Sequence, residues 1–514
     1  MSLPTQKAWD KIGSGPQHGI QVSLLSLHSE MSCGNGEFYD LIPLIDFLSS
    51  IGMTVLQLLP LNDSGYDPSP YNAKSATALH PIYLSLEKLP FISPPLSTFK
   101  SYNKTKHVPY LQVLDKKIQF LRKYVNAHRE RITNDPSYQV FIESHPQLID
   151  YALYKTLKQK HNHLKWQKWP EEEQRYSKQK RKAFLEEAQD EITFYLILQY
   201  LCHCQLSAVK DYSEKKGVFL MGDLPILLSP DSADVWSHQE FFDLTQVAGS
   251  PPNPFDPKGQ NWKFPLYNWT AMEENGFDWW RQKITAASSY YHLYRLDHVR
   301  GFFRIWAIPL GKGAEEGQFL PSDPALMEAQ GRKILSTLVT FSEMLPIAED
   351  LGEPFPCVGA TLEALGIPGT RIFQRYRNWK TDGSFVPYTA YPPLSAASVS
   401  THDLPNLSLW WKAFPDEAKA YANQKGWEYF PQLPLEHRKT ILWENHHTPS
   451  IFHINLLQEF LALAPELTWE SPEDEQINIP GTESSRNWTY RTKPSLENLR
   501  DHPHLRSTIK GCIK

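Results

Sequence analysis

Three short apolar runs in this chain each close on an acid, and this recurrence limits what the chain can fold into. Residues 291–304 read YHLYRLDHVRGFFR. The aromatic and aliphatic first half has the composition of a strand, and Asp297 follows between Arg295 and Arg300. Residues 344–352, MLPIAEDLG, repeat the plan with Glu349 and Asp350, and Gly352 turns the chain. Residues 396–403, AASVSTHD, end on His402 and Asp403. The runs are far enough apart for a crossover helix and loops, which is the spacing of parallel β/α units. In a closed barrel of such units the C-terminal strand ends converge on one mouth. A lone strand-end Asp is ordinarily a structural anchor. Three acids at one mouth repel one another, a cost to stability that chemistry can use.

Bulk properties narrow the partners. The 514 residues suit several domains or one large barrel with insertions. Formal net charge is −5, so no basic footprint for nucleic acid exists. Aromatics make up 13%, and Trp and Tyr faces can stack on sugar rings. The five cysteines are scattered without CxxC spacing, so neither a disulfide framework nor a metal site is expected. The N-terminus lacks a signal-peptide core and no apolar run approaches a membrane span, so a cytoplasmic protein without membrane association is expected.

Along the chain, residues 19–27 read as a first strand, residues 38–50 as a helix with Leu41, Ile42, Leu44, Ile45 and Leu48 on one face, and residues 53–61 as a buried second strand. The glycines at 34 and 36 match neither phosphate-loop pattern. The loop at 62–72 carries two prolines that stiffen it around Tyr71. Residues 86–191 alternate charge at helical spacing and predict a helical insertion with a solvated surface. The following helix contains Cys202, His203 and Cys204, whose consecutive positions diverge around the axis and make poor zinc ligands. Residues 217–226 form another strand near an acid, Asp223. Residues 228–275 predict a long Pro-rich, aromatic lid loop that includes Phe255 and Trp262. Residues from 410 onward read as helical, with 451–463 the clearest face, and the polar turn at 478–488 is expected to seat under the barrel.

These strings together resemble a known family. QLLPL at 57–61, SPY at 69–71, GDLPI at 222–226, DSADVW at 231–236, RLDHVRG at 295–301, AEDLG at 348–352 and THD at 401–403 are similar, in order, to the 4-α-glucanotransferases. These are the amylomaltases or disproportionating enzymes of glycoside hydrolase family 77, relatives of the α-amylases. The resemblance implies one α/β catalytic domain over residues 1–514, a (β/α)8 TIM barrel with helical and loop insertions and no separate C-terminal β-sandwich. It implies retaining transfer between α-1,4-glucans, with maltooligosaccharides as donors and glucose among the acceptors. No cofactor, no metal, and a monomer or small homo-oligomer are expected. By matched position Asp297 is the nucleophile, Glu349 the general acid/base and Asp403 the third acid at the reacting sugar. Tyr71, Asp223, Phe255, Trp262, Arg295, His298 and His402 are the expected substrate-binding set, with Asp223 also the family's structural acid.

Elementary chemistry runs parallel to this assignment. Retention needs an ionised carboxylate and a protonated acid flanking the glycosidic bond. Arg295 and Arg300 near Asp297 favour its ionised form, while repulsion from neighbouring acids is expected to keep Glu349 protonated. Departures from the family pattern lie at Leu404-Pro405 after the THD, Lys263-Phe264-Pro265, Asn253-Pro254 and Gln476. They bear on acceptor and chain-length preference and support one alternative, a non-catalytic α-glucan-binding protein. A second, a mainly hydrolytic maltodextrinase, stays open because loop composition does not set whether sugar or water takes the glycosyl group.

Overall fold

The computed structural model describes residues 3–514 except 92, 93, 95, 254, 255, 353 and 354. Its strands are β1 (Gln17–Val22), β2 (Val55–Leu58), β3 (Phe219–Leu224), β4 (Phe242–Ser250), β5 (Gln260–Tyr267), β6 (Leu293–Leu296), β7 (Ile305–Pro309), β8 (Gln318–Leu320), β9 (Leu345–Ala348), β10 (Gly369–Ile372), β11 (Ser395–Ser398) and β12 (Phe452–Leu456). Strands β1, β2, β3, β6, β9, β10, β11 and β12 close an eight-stranded barrel in chain order, and every pairing within it is parallel.

The barrel strands are covered on both faces. All four residues of β2 are buried, as a parallel strand between an interior and an outer helix layer requires. Helix Leu41–Ile51 shows how that layer forms. Leu41, Leu44, Ile45, Leu48 and Ile51 make one buried face, and Gly52 ends the helix in the left-handed region at φ 83°. Helix Gln6–Ile12 adds Ala8 and Ile12 to the cluster formed by Val55, Met221, Leu293, Leu345, Phe452 and Ile454.

Register decides where the acids stand. Asp223 pairs with Arg295 and Arg295 with Ile347. The last rung joins Leu224, Leu296 and Ala348, so Asp297 and Glu349 leave adjacent strands at the same height.

Several expectations need correction. Residues 451–463 are not one helix: Phe452–Leu456 is the eighth barrel strand, and only Leu457–Leu461 is helical. Every residue of that strand is buried, and a short buried run carries no periodicity that separates strand from helix. The lid over 228–275 is not a structureless loop. β4 and β5 pair antiparallel and, with β7 and β8, build a four-stranded sheet. Register shifts between Asp243 and Val247 and between Val247 and Gly249 break the alternation that signals a strand, and Pro265 lies within β5. The expected site residue Phe255 lies outside the described residues, as does Pro254.

Among the described residues one helix, Gln189–Lys215, is long and apolar enough to cross a membrane by length and composition, contrary to the expectation that no run is. However, 67% of its most apolar window is buried in the fold. A long apolar stretch buried in this way marks a core helix; this one packs against Leu41–Ile51 and Gln147–Lys160. The latter, with Tyr110–Thr133, Pro136–Ser144 and Lys178–Glu187, occupies the stretch between β2 and β3.

Candidate active site

Arg295 is the centre of the mouth. Its Nη1 donates to Asp223 Oδ1 at 2.8 Å and Oδ2 at 2.9 Å, and to Asp297 Oδ1 at 3.0 Å. Its Nη2 lies 2.9 Å from Glu349 Oε2. One guanidinium therefore binds three carboxylates, and its planar fork suits that work better than a lysine's point charge. Asp223 is fully buried and also accepts from the Tyr71 hydroxyl at 2.8 Å. With both oxygens committed, it orients Arg295 and Tyr71 rather than facing the opening.

Asp297 follows β6 directly. Its Oδ2 faces the backbone N–H of Ile226 at 3.4 Å, so contacts reach both oxygens. Arg300, expected beside it, instead donates to the carbonyl of Leu351. The chain then bends at His298, whose φ of 41° is left-handed. That bend aims the His298 N–H at Glu349 Oε2, 2.7 Å away, and the Val299 N–H at the Glu349 carbonyl, 3.1 Å away.

The acids' environments differ. Burial raises the Glu349 carboxyl from its ordinary value to about 7; Arg295 opposes this and Asp297 adds to it. Neighbouring acids were expected to be the main cause, but desolvation is the larger one. For Asp403 desolvation likewise raises the carboxyl, but the His402 imidazole and the Asn478 hydrogen bond outweigh it, so the carboxyl is held down at about 2. The His402 Nε2 is 3.3 Å from Asp403 Oδ2, and Asn478 Nδ2 donates to Oδ1 at 2.6 Å. Burial lowers the His298 imidazole to about 4, leaving it neutral near pH 7.

Aromatic rings frame the acids. Tyr71 stacks on His402 with centroids 5.2 Å apart and planes 20° apart. Trp488 approaches both, at 5.4 Å and 5.7 Å. Trp262, on β5, meets the His298 ring edge-on at 5.1 Å. The structure thus brings together Tyr71, Asp223, Arg295, Asp297, Glu349, His402 and Asp403, with His298 and Trp262 adjoining. Asn478 and Trp488 had not been expected here. Their turn reaches the mouth instead of seating under the barrel, because Asn478 bonds Asp403. The turn residues at 478–482 were visible in the sequence, but nothing local said which end of the barrel they met.

Similarity to known proteins agrees with this geometry. A family-wide profile described as 4-alpha-glucanotransferase matches residues 22–497. The 4-alpha-glucanotransferase of Chlamydia caviae is 42% identical, covering 98% of this chain and 96% of the relative. That of Chlamydia muridarum is 40% identical, covering 99% and 97%. Among solved structures, the amylomaltase from Streptococcus agalactiae in complex with acarbose superposes with a TM-score of 0.83 at 25% identity, covering 97% of this chain and 98% of that one.

Proposed function

The chain belongs to the 4-alpha-glucanotransferase family, an enzyme family of α-1,4-glucan transfer, and from that premise we propose that it works by a retaining double displacement at Asp297 and Glu349. The observation that carries this reading is the single Arg295 guanidinium shared by the two carboxylates, one of which, Glu349, is pushed up to about 7 by burial. In the first step the Asp297 carboxylate attacks the anomeric carbon of the donor sugar. Glu349 gives its proton to the glycosidic oxygen, and the reducing-end fragment leaves with a free 4-hydroxyl. A glycosyl ester on Asp297 remains.

In the second step Glu349, now ionised, takes the proton from the 4-hydroxyl of glucose or a maltooligosaccharide. That oxygen displaces Asp297, and two inversions return the α configuration. Retaining carboxyl pairs stand about 5–5.5 Å apart, a separation compatible with one guanidinium reaching both. Asp403, ionised beside His402, binds hydroxyls of the reacting sugar, and Tyr71 with Trp488 supplies the apolar wall.

Maltotriose alone is the test. Disproportionation yields glucose together with a ladder of longer maltooligosaccharides, and Asp297→Asn gives neither. Glucose and maltose without longer chains would mean that water takes the ester, the hydrolytic alternative. Intact maltotriose that still binds calorimetrically would mean a glycan-binding protein.

A further inference from the structure

The loop that carries His402 and Asp403 runs from β11 to helix Leu407–Ala413, and few of its fastenings come from the loop itself. Asp403 N–H reaches Thr401 Oγ1 at 3.3 Å, and the Leu404 N–H reaches the Thr401 carbonyl at 3.1 Å. The stronger restraints come from the segment after β12. Glu459 lies in Leu457–Leu461 and is completely buried. Its Oε1 accepts from Ser400 Oγ at 2.8 Å and from the Leu407 N–H at 2.9 Å. Its Oε2 accepts from Arg438 Nη1 at 3.0 Å. One oxygen therefore grips both ends of the acid-bearing loop, and the other holds a buried cation.

We propose that Glu459 is a positioning residue for Asp403 and His402, with Arg438 present to neutralise the carboxylate that does the gripping. A buried ion pair is poor evidence of added stability, since apolar replacements of similar volume are often as stable. A carboxylate in the interior is nonetheless one of few groups that can accept two loop donors at a single oxygen and remain anchored at the other. Asn455 supports the same loop one residue earlier: buried on β12, its Oδ1 accepts the Val399 N–H at 2.8 Å. At the far side Gln374 Nε2 donates to the carbonyl of Pro405 at 2.7 Å. The Leu404-Pro405 pair that departs from the family pattern therefore sits inside a loop held from three sides. This inference rests on the proposed role of Asp403 at the reacting sugar.

Two double variants separate positioning from stability. Arg438→Met/Glu459→Gln removes both charges and keeps an amide oxygen for Ser400 and Leu407. Arg438→Met/Glu459→Leu removes the charges and the acceptor together. The leucine form is expected to melt lower, because the buried Ser400 hydroxyl and Leu407 N–H lose their acceptor, so kcat is compared at a temperature where both variants are folded. The leucine form should lose roughly 10- to 100-fold in kcat on maltotriose with a smaller change in KM, since a misplacement of about 1 Å can cost 100-fold. The glutamine form should recover most of that loss. If the leucine variant does not fold, Ser400→Ala decides, with a smaller kcat loss expected and an unchanged kcat overturning the proposal. Equal activity in the two double variants also overturns it. Asp403→Asn is run beside them: if it abolishes transfer while the leucine form is fully active, only the positioning role fails. If Asp403→Asn is itself fully active, the reading of the site fails.

Discussion

Glu349 shows how one backbone bend sets the chemistry of one side chain. His298 adopts a left-handed conformation, and the resulting N–H on Glu349 Oε2 fixes the carboxyl without donating enough charge to ionise it at low pH. Desolvation wins, and the group sits at about 7. Because this value is raised, the protonated acid is present below it and lost as pH rises through it. The kcat/KM on maltotriose is therefore expected to fall about tenfold per pH unit once the pH exceeds about 7. His298 is neutral above about 4 and Asp403 ionised above about 2, so neither supplies the limb. The His402 imidazole, which burial lowers but Asp403 raises above its ordinary value, titrates on the same side, and the Glu349 variant separates the two. A basic limb that survives unchanged in a residually active Glu349→Gln variant would assign it elsewhere. The same substitution should cost roughly 100- to 10,000-fold on maltotriose. Formation of the glycosyl ester from an α-glucosyl fluoride should be largely spared, because fluoride leaves without a proton. Equal loss on both donors would remove Glu349 from the acid role.

At the scale of elements, one helix of the insertion holds two loops of the mouth. On Gln147–Lys160, Tyr151 Oη and Lys155 Nζ bind Asp63 Oδ2 at 2.6 Å and 2.7 Å. One turn along, Tyr154 Oη and Lys158 Nζ bind Asp231 at 2.9 Å and 2.8 Å. Asp63 belongs to the loop that carries Tyr71, and Asp231 follows the strand that carries Asp223. Asp63→Ala leaves Lys155 and Tyr151 without their buried partner and should cost about 3–5 kcal/mol, read as a lower urea midpoint at unchanged slope. A midpoint within error of the parent would mean the clamp is ornamental. The sequence reveals this helix through its charge alternation but not what it clamps, because the partners lie far away in the chain. The same limit runs through the barrel. Strands β1, β2, β3, β6, β9 and β11 were legible as apolar runs, β6 and β9 flagged by an acid immediately beyond and β11 by Asp403 further along the loop. β10, reading GTRI, has neither a long apolar run nor a terminal acid, and β12 passes for helix. The acids of the mouth could be read off because a strand end is a local signal. Asn478, Trp488 and Glu459 could not, because their roles exist only after closure.

For the whole molecule, the question is how a barrel mouth makes a sugar hydroxyl outcompete water. The aromatic rings around the acids come from remote parts of the chain: Tyr71 after β2, Trp262 on the antiparallel sheet, and Trp488 near the C-terminus. The sheet is an inserted layer between β3 and β9, and its β5 brings Trp262 against the His298 ring, next to the turn that holds Glu349. A rim of this kind reduces the water within reach of a glycosyl ester, and a dry site favours the bound acceptor. Trp262→Ala is therefore expected to raise hydrolysis relative to transfer. Counting reducing ends isolates the effect: each transfer leaves their number unchanged, whereas each hydrolysis adds one. The variant should accumulate reducing ends faster per maltotriose consumed than the parent, with the ladder of longer chains correspondingly thinner. Slower consumption at an unchanged number of reducing ends per maltotriose would instead make Trp262 a binding surface for sugar. Protection of the ester would then fall to the other rings, and Trp488→Ala, which opens the wall shared by Tyr71 and His402, would be the variant to shift the ratio.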